Sequence, residues 1–327
     1  MRILLTATPA MRENYYGARA LARLREIAEV ILHEDAAPLT ADGLVAAAAD
    51  VAAIVTDRLT PVPAGIFSRL PRLTAVLRCA VDIRSIDVAA ASAAGVLVTR
   101  AQPGFVDAVS ELALGLLIDL FRGVSDATGA YRAGRVPEAR MGRQLAGSTI
   151  GIVGYGAIGR RLADLAHHLR MTVLVADPHV TVADARLRQV PLPVLLAQAD
   201  AVVCLAVASA ETENLIDAAA LARMRRDAVF INLSRGDLVD EGALADALRA
   251  GRIAGAALDV GRAPDQMPSP PLARLPNVIA TPHIGGLTPA AIEAQALETV
   301  EQVRAILTGA VPIGAVNADS WSRRPRA

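Results

Sequence analysis

Short apolar runs alternate with amphipathic segments along most of the chain, a pattern typical of strands and helices that follow one another. In the first third of the chain, one helix is predicted over 16–27. The apolar runs in this part predict strands at 3–6, 28–32, 51–56, 75–79 and 96–99. Strands separated by helical segments favour βαβ units and therefore a parallel sheet.

The same alternation returns later in the chain, so a second parallel sheet is expected. Its predicted strands are 149–153, 172–176, 201–207, 228–232, 255–258 and 278–280. Helices are predicted over about 106–124, 213–224, 240–250 and 289–307. The intervening stretches 131–144 and 264–276 are predicted as loops.

A glycine motif follows the first strand of this second sheet. It reads Gly154-x-Gly156-x-x-Gly159, and a helical pattern begins within it. The first glycine permits a tight turn, the second lets a pyrophosphate approach the backbone, and the third lets the helix pack closely on the strand. The free amides and the dipole at the helix N-terminus attract phosphate. The motif therefore predicts a dinucleotide site formed by these glycines with Ala157 and Ile158.

An acidic residue, Asp177, follows the next predicted strand, 18 residues beyond Gly159. This is close to the spacing of about 20 residues expected for an acid that binds the adenosine ribose diol. A carboxylate there accepts hydrogen bonds from a 2′-hydroxyl and repels a 2′-phosphate. The next residues are Pro178 and His179 rather than Arg. The sequence therefore predicts NAD as the cofactor and disfavours NADP.

The order of the two sheets along the chain predicts the domain organisation. The glycine motif lies in the second sheet, and the last helix lies beyond that sheet. We expect an α/β protein with two doubly wound parallel-sheet domains. A Rossmann dinucleotide domain (101–287) is inserted into a flavodoxin-like substrate domain (1–100 plus 288–327). A cleft between two such domains is a usual position for a ligand site.

Composition excludes several classes of function. The formal net charge is +0 and aromatic residues make up 3% of the chain. Neither the basic surface nor the stacking platform of a nucleic-acid-binding protein is therefore expected. The chain contains no Lys, which excludes Schiff-base and P-loop lysines. Any clamp for an anionic substrate must then use Arg.

The remaining features favour a cytoplasmic protein without a metal centre. Cys79 and Cys204 lie in apolar runs, and the five histidines are scattered, so no metal ligand set is predicted. Such cysteines are typical of a reducing compartment. The longest apolar stretch, 112–121, contains Asp119 and is too short to span a bilayer. The first residues are typical of a strand rather than of a signal peptide.

Four segments are informative in combination. They read LAGSTIGIVGYGAIG (145–159), INLSRGDLVDEGAL (231–244), GAALDV (255–260) and LPNVIATPHIGG (275–286). In this order they resemble the D-isomer-specific 2-hydroxyacid dehydrogenases, and the resemblance covers nearly the whole chain. It implies the same split two-domain fold and hydride transfer between NAD and C2 of a 2-hydroxy or 2-keto acid. It also implies a homodimer formed through the cofactor domain.

The resemblance implies roles for three residues. Arg235 matches the family's clamp for the substrate carboxylate, and a guanidinium suits this role because it is a planar, two-pronged donor. His283 matches the general acid/base, since a histidine exchanges a proton near neutral pH. Asp259 matches the residue that binds the nicotinamide carboxamide, although this Asp can also be interpreted as a strand-end cap.

One departure from the family concerns the acidic partner of the histidine. The family usually has Glu five residues after the position of Asp259, and this chain has Pro264 there. We hypothesise that Asp265 takes this role, because a nearby carboxylate raises the pKa of a histidine. Asp82, from the other predicted domain, is the alternative source of the charge.

A second departure concerns the substrate loop. The family commonly has a Gly-rich loop that offers amides to the carboxylate, and this chain reads RCAVDIR at 78–84. Ala80, Val81, Asp82 and Arg84 are therefore the predicted substrate contacts. The two charged residues favour a substrate with an additional polar or ionic group, or they form an ion pair with each other.

The leading hypothesis is an NAD-dependent D-2-hydroxyacid dehydrogenase, or 2-ketoacid reductase, with a small-molecule substrate. A regulatory protein that senses NAD(H) on the same fold is the alternative, because the usual Glu is replaced. The presence of both Arg235 and His283 argues against a pure sensor. Oxidation of formate or another small anion would need the same two residues and is separated from the leading hypothesis only by substrate trials.

Overall fold

The chain divides into two compact units in the computed structural model, which describes residues 1–325. One unit comprises Met1–Phe105 together with the chain from Leu287 onward, and the other comprises Val106–Gly286. Each unit contains one parallel sheet. The predicted fold class, an α/β protein with two doubly wound parallel sheets, is therefore confirmed.

Twelve strands form the two sheets within the described residues. The strands of the first unit are β1 (Arg2–Leu5), β2 (Glu29–Leu32), β3 (Ala53–Thr56), β4 (Ala75–Arg78) and β5 (Leu97–Arg100). The strands of the second unit are β6 (Thr149–Val153), β7 (Thr172–Ala176), β8 (Arg188–Gln189), β9 (Ala201–Cys204), β10 (Val229–Asn232), β11 (Gly255–Leu258) and β12 (Val278–Ala280).

The helices, in chain order, alternate with these strands. They are α1 (Pro9–Tyr15), α2 (Ala18–Ile27), α3 (Ala41–Ala47), α4 (Val88–Ala93), α5 (Val106–Arg122), α6 (Val124–Arg132), α7 (Ala157–His168), α8 (Leu192–Gln198), α9 (Ala218–Arg223), α10 (Glu241–Arg249), α11 (Pro270–Ala273) and α12 (Pro289–Leu307). Side-chain caps define several of the helix starts. Asp240, for example, accepts a hydrogen bond from the backbone N–H of Ala243 at the start of α10.

The first sheet has the strand order β2-β1-β3-β4-β5, which is the flavodoxin-like order. Successive residues of a strand point to opposite faces, and both faces are covered. Leu5 and Val55 lie in a core cluster on one face that includes Val300 of α12. Leu4 and Ile54 lie in a separate cluster on the other face. The C-terminal helix therefore completes the core that the N-terminal strands begin.

The second sheet has the strand order β12-β11-β10-β9-β6-β7-β8. This is the Rossmann order with one additional edge strand. The chain reverses direction across the sheet between β6 and β9, which are hydrogen-bonded neighbours. Ligands of such sheets bind outside the carboxyl ends of the strands at this switch point. The glycine motif follows β6 and therefore lies at this position.

Several predicted boundaries were wrong. The helix predicted over 106–124 ends at Arg122, because Gly123 adopts a left-handed conformation with φ 64°. Helix α6 follows and includes the first two residues of the loop predicted over 131–144. The helix predicted from residue 213 begins only after its cap, Asp217. The predicted loop 264–276 contains a 3-10 turn, Pro264–Gln266, and the short helix α11. Helix α1 was missed.

None of the described helices is both long and apolar enough to cross a membrane.

Candidate active site

The predicted site residues of the second unit follow four parallel strands of one sheet. The glycine motif follows β6, Arg235 follows β10, Asp259 follows β11, and His283 follows β12. Strands β10, β11 and β12 are consecutive neighbours in the sheet. Parallel strands present their carboxyl ends at one edge, so the structure brings these residues to the same edge of the sheet.

The glycine turn after β6 leaves no room for side chains at two of its three positions. Gly154 has φ 97°, and an added Cβ would lie 2.6 Å from the backbone nitrogen of Ala206. An added Cβ on Gly159 would lie 2.2 Å from the carbonyl oxygen of Gly154. Both positions therefore require glycine, for the turn and for the close packing of α7 on β6, as the sequence predicts.

Gly156 differs from the other two glycines, because nothing lies within 4 Å of an added Cβ. It is the N-cap of α7, and Ala157 and Ile158 are the first two residues of that helix. The helix has no acidic residue in its first turn and has basic residues in its last. The open space at Gly156 and the positive end of the helix dipole suit a phosphate group.

Asp177 directly follows β7, where its half-buried side chain reaches the glycine turn. One carboxylate oxygen accepts a hydrogen bond of 2.7 Å from the backbone N–H of Tyr155, and the other accepts one of 2.9 Å from that of His179. A carboxylate has about four acceptor positions, so these two bonds fix its orientation and leave capacity for a ribose hydroxyl. The structure therefore places this acid beside the predicted dinucleotide turn.

Arg235 is half-buried in the turn after β10, and a neighbouring amide fixes its backbone. Asn232, which is 1% exposed, donates from its side chain to the carbonyl of Arg235 at 2.9 Å and accepts from the N–H of Ser234 at 3.1 Å. The hydroxyl of Ser234 donates to the carbonyl of Ala206 at 2.6 Å. Asn232 was not predicted as a site residue, although an Asn at the end of a strand is a common turn-forming signal.

Asp259 is almost completely buried, at 2% exposure, and holds the turn that carries His283. Its carboxylate accepts hydrogen bonds from the hydroxyl of Thr281 at 2.6 Å and from the backbone N–H groups of Ile284 and Gly285, both at 2.8 Å. The structure therefore gives Asp259 the role of a strand-end cap that supports the histidine turn. Contact with a nicotinamide carboxamide stays a prediction.

The structure brings His283 and Asp265 together through the main chain. The imidazole Nδ1 lies 3.2 Å from the backbone carbonyl oxygen of Asp265. A carbonyl oxygen only accepts hydrogen bonds, so Nδ1 carries a proton in this contact. In the neutral ring, Nε2 is then the nitrogen that can accept a proton.

Three non-glycine residues at or next to the contact between His283 and Asp265 have left-handed backbones. Asp265 and Gln266 each have φ 58°, and His283 has φ 54°. Such conformations cost roughly 1–3 kcal/mol each and occur often at functional sites. The side-chain Oε1 of Gln266 is buried and has no hydrogen-bond partner among residues 1–325. No left-handed residue was predicted here from the sequence, although Asp and His adopt this conformation more often than most other residue types.

The predicted substrate contacts Ala80, Val81, Asp82 and Arg84 lie in the first unit, after β4. The guanidinium of Arg84 donates to both carboxylate oxygens of Asp82, at 2.6–3.1 Å. Of the two interpretations made from the sequence, the structure thus contains the ion pair. Because its Arg side chain is 65% exposed, the pair contributes at most about 1 kcal/mol to stability.

Arg78, the last residue of β4, was not predicted as a site residue. Its side chain is fully buried, and its Nη2 donates to the hydroxyl of Ser85. Nε and Nη1 have no hydrogen-bond partner within the described part of the chain. Burial lowers the pKa of Arg78 to about 10, against the opposing charges of Asp57 and Asp82. A buried charge with unpaired donors is unusual and marks this position for testing.

No group of three or more potential metal ligands occurs in residues 1–325. Both cysteines are free thiols, and burial raises the pKa of each to about 12. A thiol of that pKa is protonated at neutral pH and is a poor nucleophile.

Comparison with known proteins covers the part of the chain that carries the predicted site residues of the second unit. The NAD binding domain of the D-isomer specific 2-hydroxyacid dehydrogenases matches residues 114–285. The (S)-sulfolactate dehydrogenase of Chromohalobacter salexigens is 38% identical over 81% of this chain and 87% of its own. The glyoxylate reductase of Korarchaeum cryptofilum is 32% identical over 94% of this chain and 95% of its own.

The similarity extends to solved structures. The TT0316 protein from Thermus thermophilus superimposes with a TM-score of 0.85, at 31% identity, over 97% of this chain and 100% of its own. The chain also matches mycobacterial D-3-phosphoglycerate dehydrogenases, but it spans only about half of their length, 53% for the protein of Mycobacterium leprae.

Proposed function

Because the chain belongs to the D-isomer specific 2-hydroxyacid dehydrogenase family, we propose that it transfers hydride between NAD and C2 of a small 2-keto or 2-hydroxy acid of D configuration. The observation that carries this proposal is the fixed geometry of His283. Its turn is held by Asp259, and its Nδ1 contacts the carbonyl of Asp265. This leaves Nε2 as the proton-transferring nitrogen.

In the proposed reaction, Arg235 binds the substrate carboxylate and polarises the C2 carbonyl. The bound nicotinamide supplies or accepts the hydride. His283 donates a proton from Nε2 to the carbonyl oxygen during reduction and accepts it during oxidation. Asp265 lies next to the ring and is proposed to favour the protonated histidine. The protein thus supplies orientation and charge, and the cofactor supplies the redox chemistry.

The chemical class of the substrate is the second part of the proposal. Sulfolactate and 3-phosphoglycerate, named in two of the similar proteins, carry a second anionic group, whereas glyoxylate does not. We propose a substrate with an additional polar or anionic group, near Ala80, Val81, Asp82 and Arg84. Support comes from the buried guanidinium of Arg78 beside this segment, two of whose nitrogens have no partner among residues 1–325. The charges of Asp82 and Arg84 are paired with each other.

The test is the loss of NADH absorbance with glyoxylate, hydroxypyruvate, 3-sulfopyruvate and 3-phosphohydroxypyruvate. His283→Ala is expected to abolish turnover with the best of these, and Arg235→Gln is expected to raise its KM and to lower kcat. Tight NADH binding without turnover on the whole panel would exclude the proposed reaction and favour an NAD(H)-sensing protein. Formate with NAD, measured in parallel, tests the third hypothesis.

We propose that the family's NAD-binding domain in this chain prefers NAD to NADP. The carboxylate of Asp177 is oriented by the N–H groups of Tyr155 and His179. A 2′-phosphate at the ribose would meet this negative charge. Titrations of both reduced cofactors test the preference, and a tighter dissociation constant for NADPH would contradict it.

We infer a homodimer formed through the second unit. Large apolar side chains are exposed along α5, α6 and the segment after them. They are Ile118 (44%), Val124 (52%), Tyr131 (63%), Val136 (84%) and Met141 (101%). Exposed apolar patches of this kind are typical of protein interfaces. Light scattering should give twice the chain mass, and Val136→Asp should shift the protein towards the monomer.

We also propose a cytoplasmic location. Two free cysteines fit a reducing compartment, and an NAD-dependent reaction requires a compartment that contains the cofactor. Fractionation of cells that produce the protein tests this location, and recovery outside the cytoplasm would contradict it.

A further inference from the structure

The side chain of Arg262 connects three loop segments at the carboxyl edge of the second sheet. Arg262 lies in the loop after β11, and its side chain is 36% exposed. Its guanidinium donates to four acceptors on two other segments. These are the side chains of Glu213 and Asn214, both at 2.8 Å, and the backbone carbonyls of Asp237 at 2.9 Å and Val239 at 3.3 Å.

The carbonyl of Asp237 belongs to the turn that directly follows Arg235, and Val239 is the residue after that turn. This turn, Gly236–Leu238, is a single 3-10 turn. The same region receives a backbone hydrogen bond of 2.8 Å from Asn214 to the carbonyl of Asp237. Arg262 therefore joins the segment after Arg235 to the segment around Asn214.

The turn also lies directly against the loop that carries Arg262. An added Cβ on Gly236 would lie 2.2 Å from the carbonyl carbon of Gly261 and 2.8 Å from the backbone nitrogen of Arg262. The N–H of Arg262 donates to the carboxylate of Glu241 at 2.9 Å. The two backbones are thus in contact, and Arg262 is bonded at both its main chain and its side chain.

The other end of this loop reaches His283. The N–H of Gly261 donates to the carbonyl of Gln266 at 2.8 Å, which closes the loop, and the carbonyl of Asp265 receives the Nδ1 contact of His283. Asp265 and Gln266 both have φ 58°. These conformations are unfavourable for residues with a Cβ, so the loop needs restraint from outside.

We propose that Arg262 is a positioning residue that fixes the positions of Arg235 and His283 relative to each other. It does so because one guanidinium restrains both the turn after Arg235 and the loop whose carbonyl orients His283. The inference rests on the proposed function, since these two residues act on one substrate there. A guanidinium has five N–H donors in a rigid fork and can bond two segments at once, which an ammonium cannot do with the same geometry. The ion pair with Glu213 is secondary because both side chains are well exposed.

The experiment compares Arg262→Gln and Arg262→Lys with a matched control, Arg249→Gln. Arg249 is also an Arg of the second unit, and its partner is Asp246, one turn earlier on α10, at 3.2 Å. NADH affinity is measured by fluorescence titration. The values of kcat and KM are measured with the best 2-keto acid of the panel.

Arg262→Gln is expected to lose about 30-fold or more in kcat/KM, because a displacement of about 1 Å between reacting groups can cost about 100-fold. The NADH dissociation constant is expected to change by less than about 2-fold, since the glycine turn and Asp177 are untouched. Arg262→Lys is expected to show the same loss of activity as Arg262→Gln. The control, Arg249→Gln, is expected to match the parent protein. A value of kcat/KM within about 3-fold of the parent in Arg262→Gln would overturn the proposal. A loss of activity that is fully explained by a loss of NADH-binding sites would also overturn the proposal.

Hydrogen exchange separates failure of this inference from failure of the proposed function. If the parent protein reduces no acid of the panel, the proposed function fails, and the role of Arg262 is decided by backbone exchange alone. Faster exchange in Arg262→Gln at both 236–239 and 261–267 supports it. Unchanged exchange in either segment overturns it.

Discussion

The imidazole Nδ1 of His283 lies 3.2 Å from the backbone carbonyl oxygen of Asp265. Both residues have left-handed backbones, with φ 54° for His283 and 58° for Asp265. The orientation of the ring is thus set by the main chain of the loop 261–267. The proposed effect of the Asp265 charge is distinct from that contact, and the two can be separated by substitution.

Asp265→Asn retains the carbonyl and removes the charge. Reduction requires a protonated histidine, and loss of a nearby negative charge lowers the pKa of a histidine. We therefore expect the alkaline fall-off of kcat/KM for reduction to move to lower pH, with turnover retained on the acid side. The measurement is the pH profile of NADH oxidation. A profile identical to that of the parent, together with a shift in Asp82→Asn, would assign the charge to Asp82 instead.

Asp259→Asn tests whether this acid supports the turn or binds the cofactor. The buried carboxylate accepts three hydrogen bonds from residues 281–285, and an amide of the same size cannot accept all of them. We expect a loss of about 2–3 kcal/mol in the free energy of unfolding, together with reduced turnover. Denaturant unfolding measures the first effect. Unchanged stability with NADH binding weakened about 10-fold, or about 1.4 kcal/mol, would instead favour the carboxamide role.

Asp57→Asn is expected to reduce stability at neutral pH but not in acid. Burial alone would raise the pKa of Asp57, but hydrogen bonds from Thr6, Thr60 and Leu59 outweigh it and lower the pKa. A group with a lowered folded-state pKa contributes stability above its unfolded pKa, and this is lost as the pH falls through the folded value. The expected difference of about 2 kcal/mol at pH 7 should therefore vanish in strong acid.

Urea unfolding at a series of pH values measures this difference. Asp50→Asn is the control, because that side chain is 67% exposed and pairs with surface arginines. A constant difference between parent and Asp57→Asn down to the lowest pH would show that the charge of Asp57 is not the stabilising feature.

Arg78→Met is expected to maintain or raise thermal stability. The guanidinium is fully buried with two unpaired nitrogens among residues 1–325, and replacement of a poorly paired buried charge by an apolar side chain is often neutral or stabilising. Ser85→Ala should lower stability, since it removes the hydroxyl to which Nη2 donates. Calorimetry measures both variants.

Turnover by Arg78→Met adds a second result. A variant that is as stable as the parent but slower on anionic substrates would show that the charge is kept for function. A fall of several degrees in Tm would contradict the prediction and make Arg78 a structural residue.

The alternation of apolar runs was enough to predict both parallel sheets, because strand and helix periods are local properties of the sequence. The glycine motif with Asp177 was enough to predict the dinucleotide turn, since only glycine fits at Gly154 and Gly159. The resemblance of four segments to one family then led to Arg235 and His283. Helix ends were less predictable, as at Gly123, where a single left-handed residue separates α5 from α6.

Tertiary structure decided how those residues are supported. The burial of Asp259 beneath the histidine turn, the strained backbones at Asp265 and Gln266 and the contacts of Arg262 all join segments that are distant in the chain. These hydrogen bonds depend on the alignment of the carboxyl ends of β10, β11 and β12 in the sheet. The sequence by itself thus determined the sheets, the glycine turn and the types of the proposed reacting groups. Only the packing of the loops beyond the strands determined the geometry in which those groups are held.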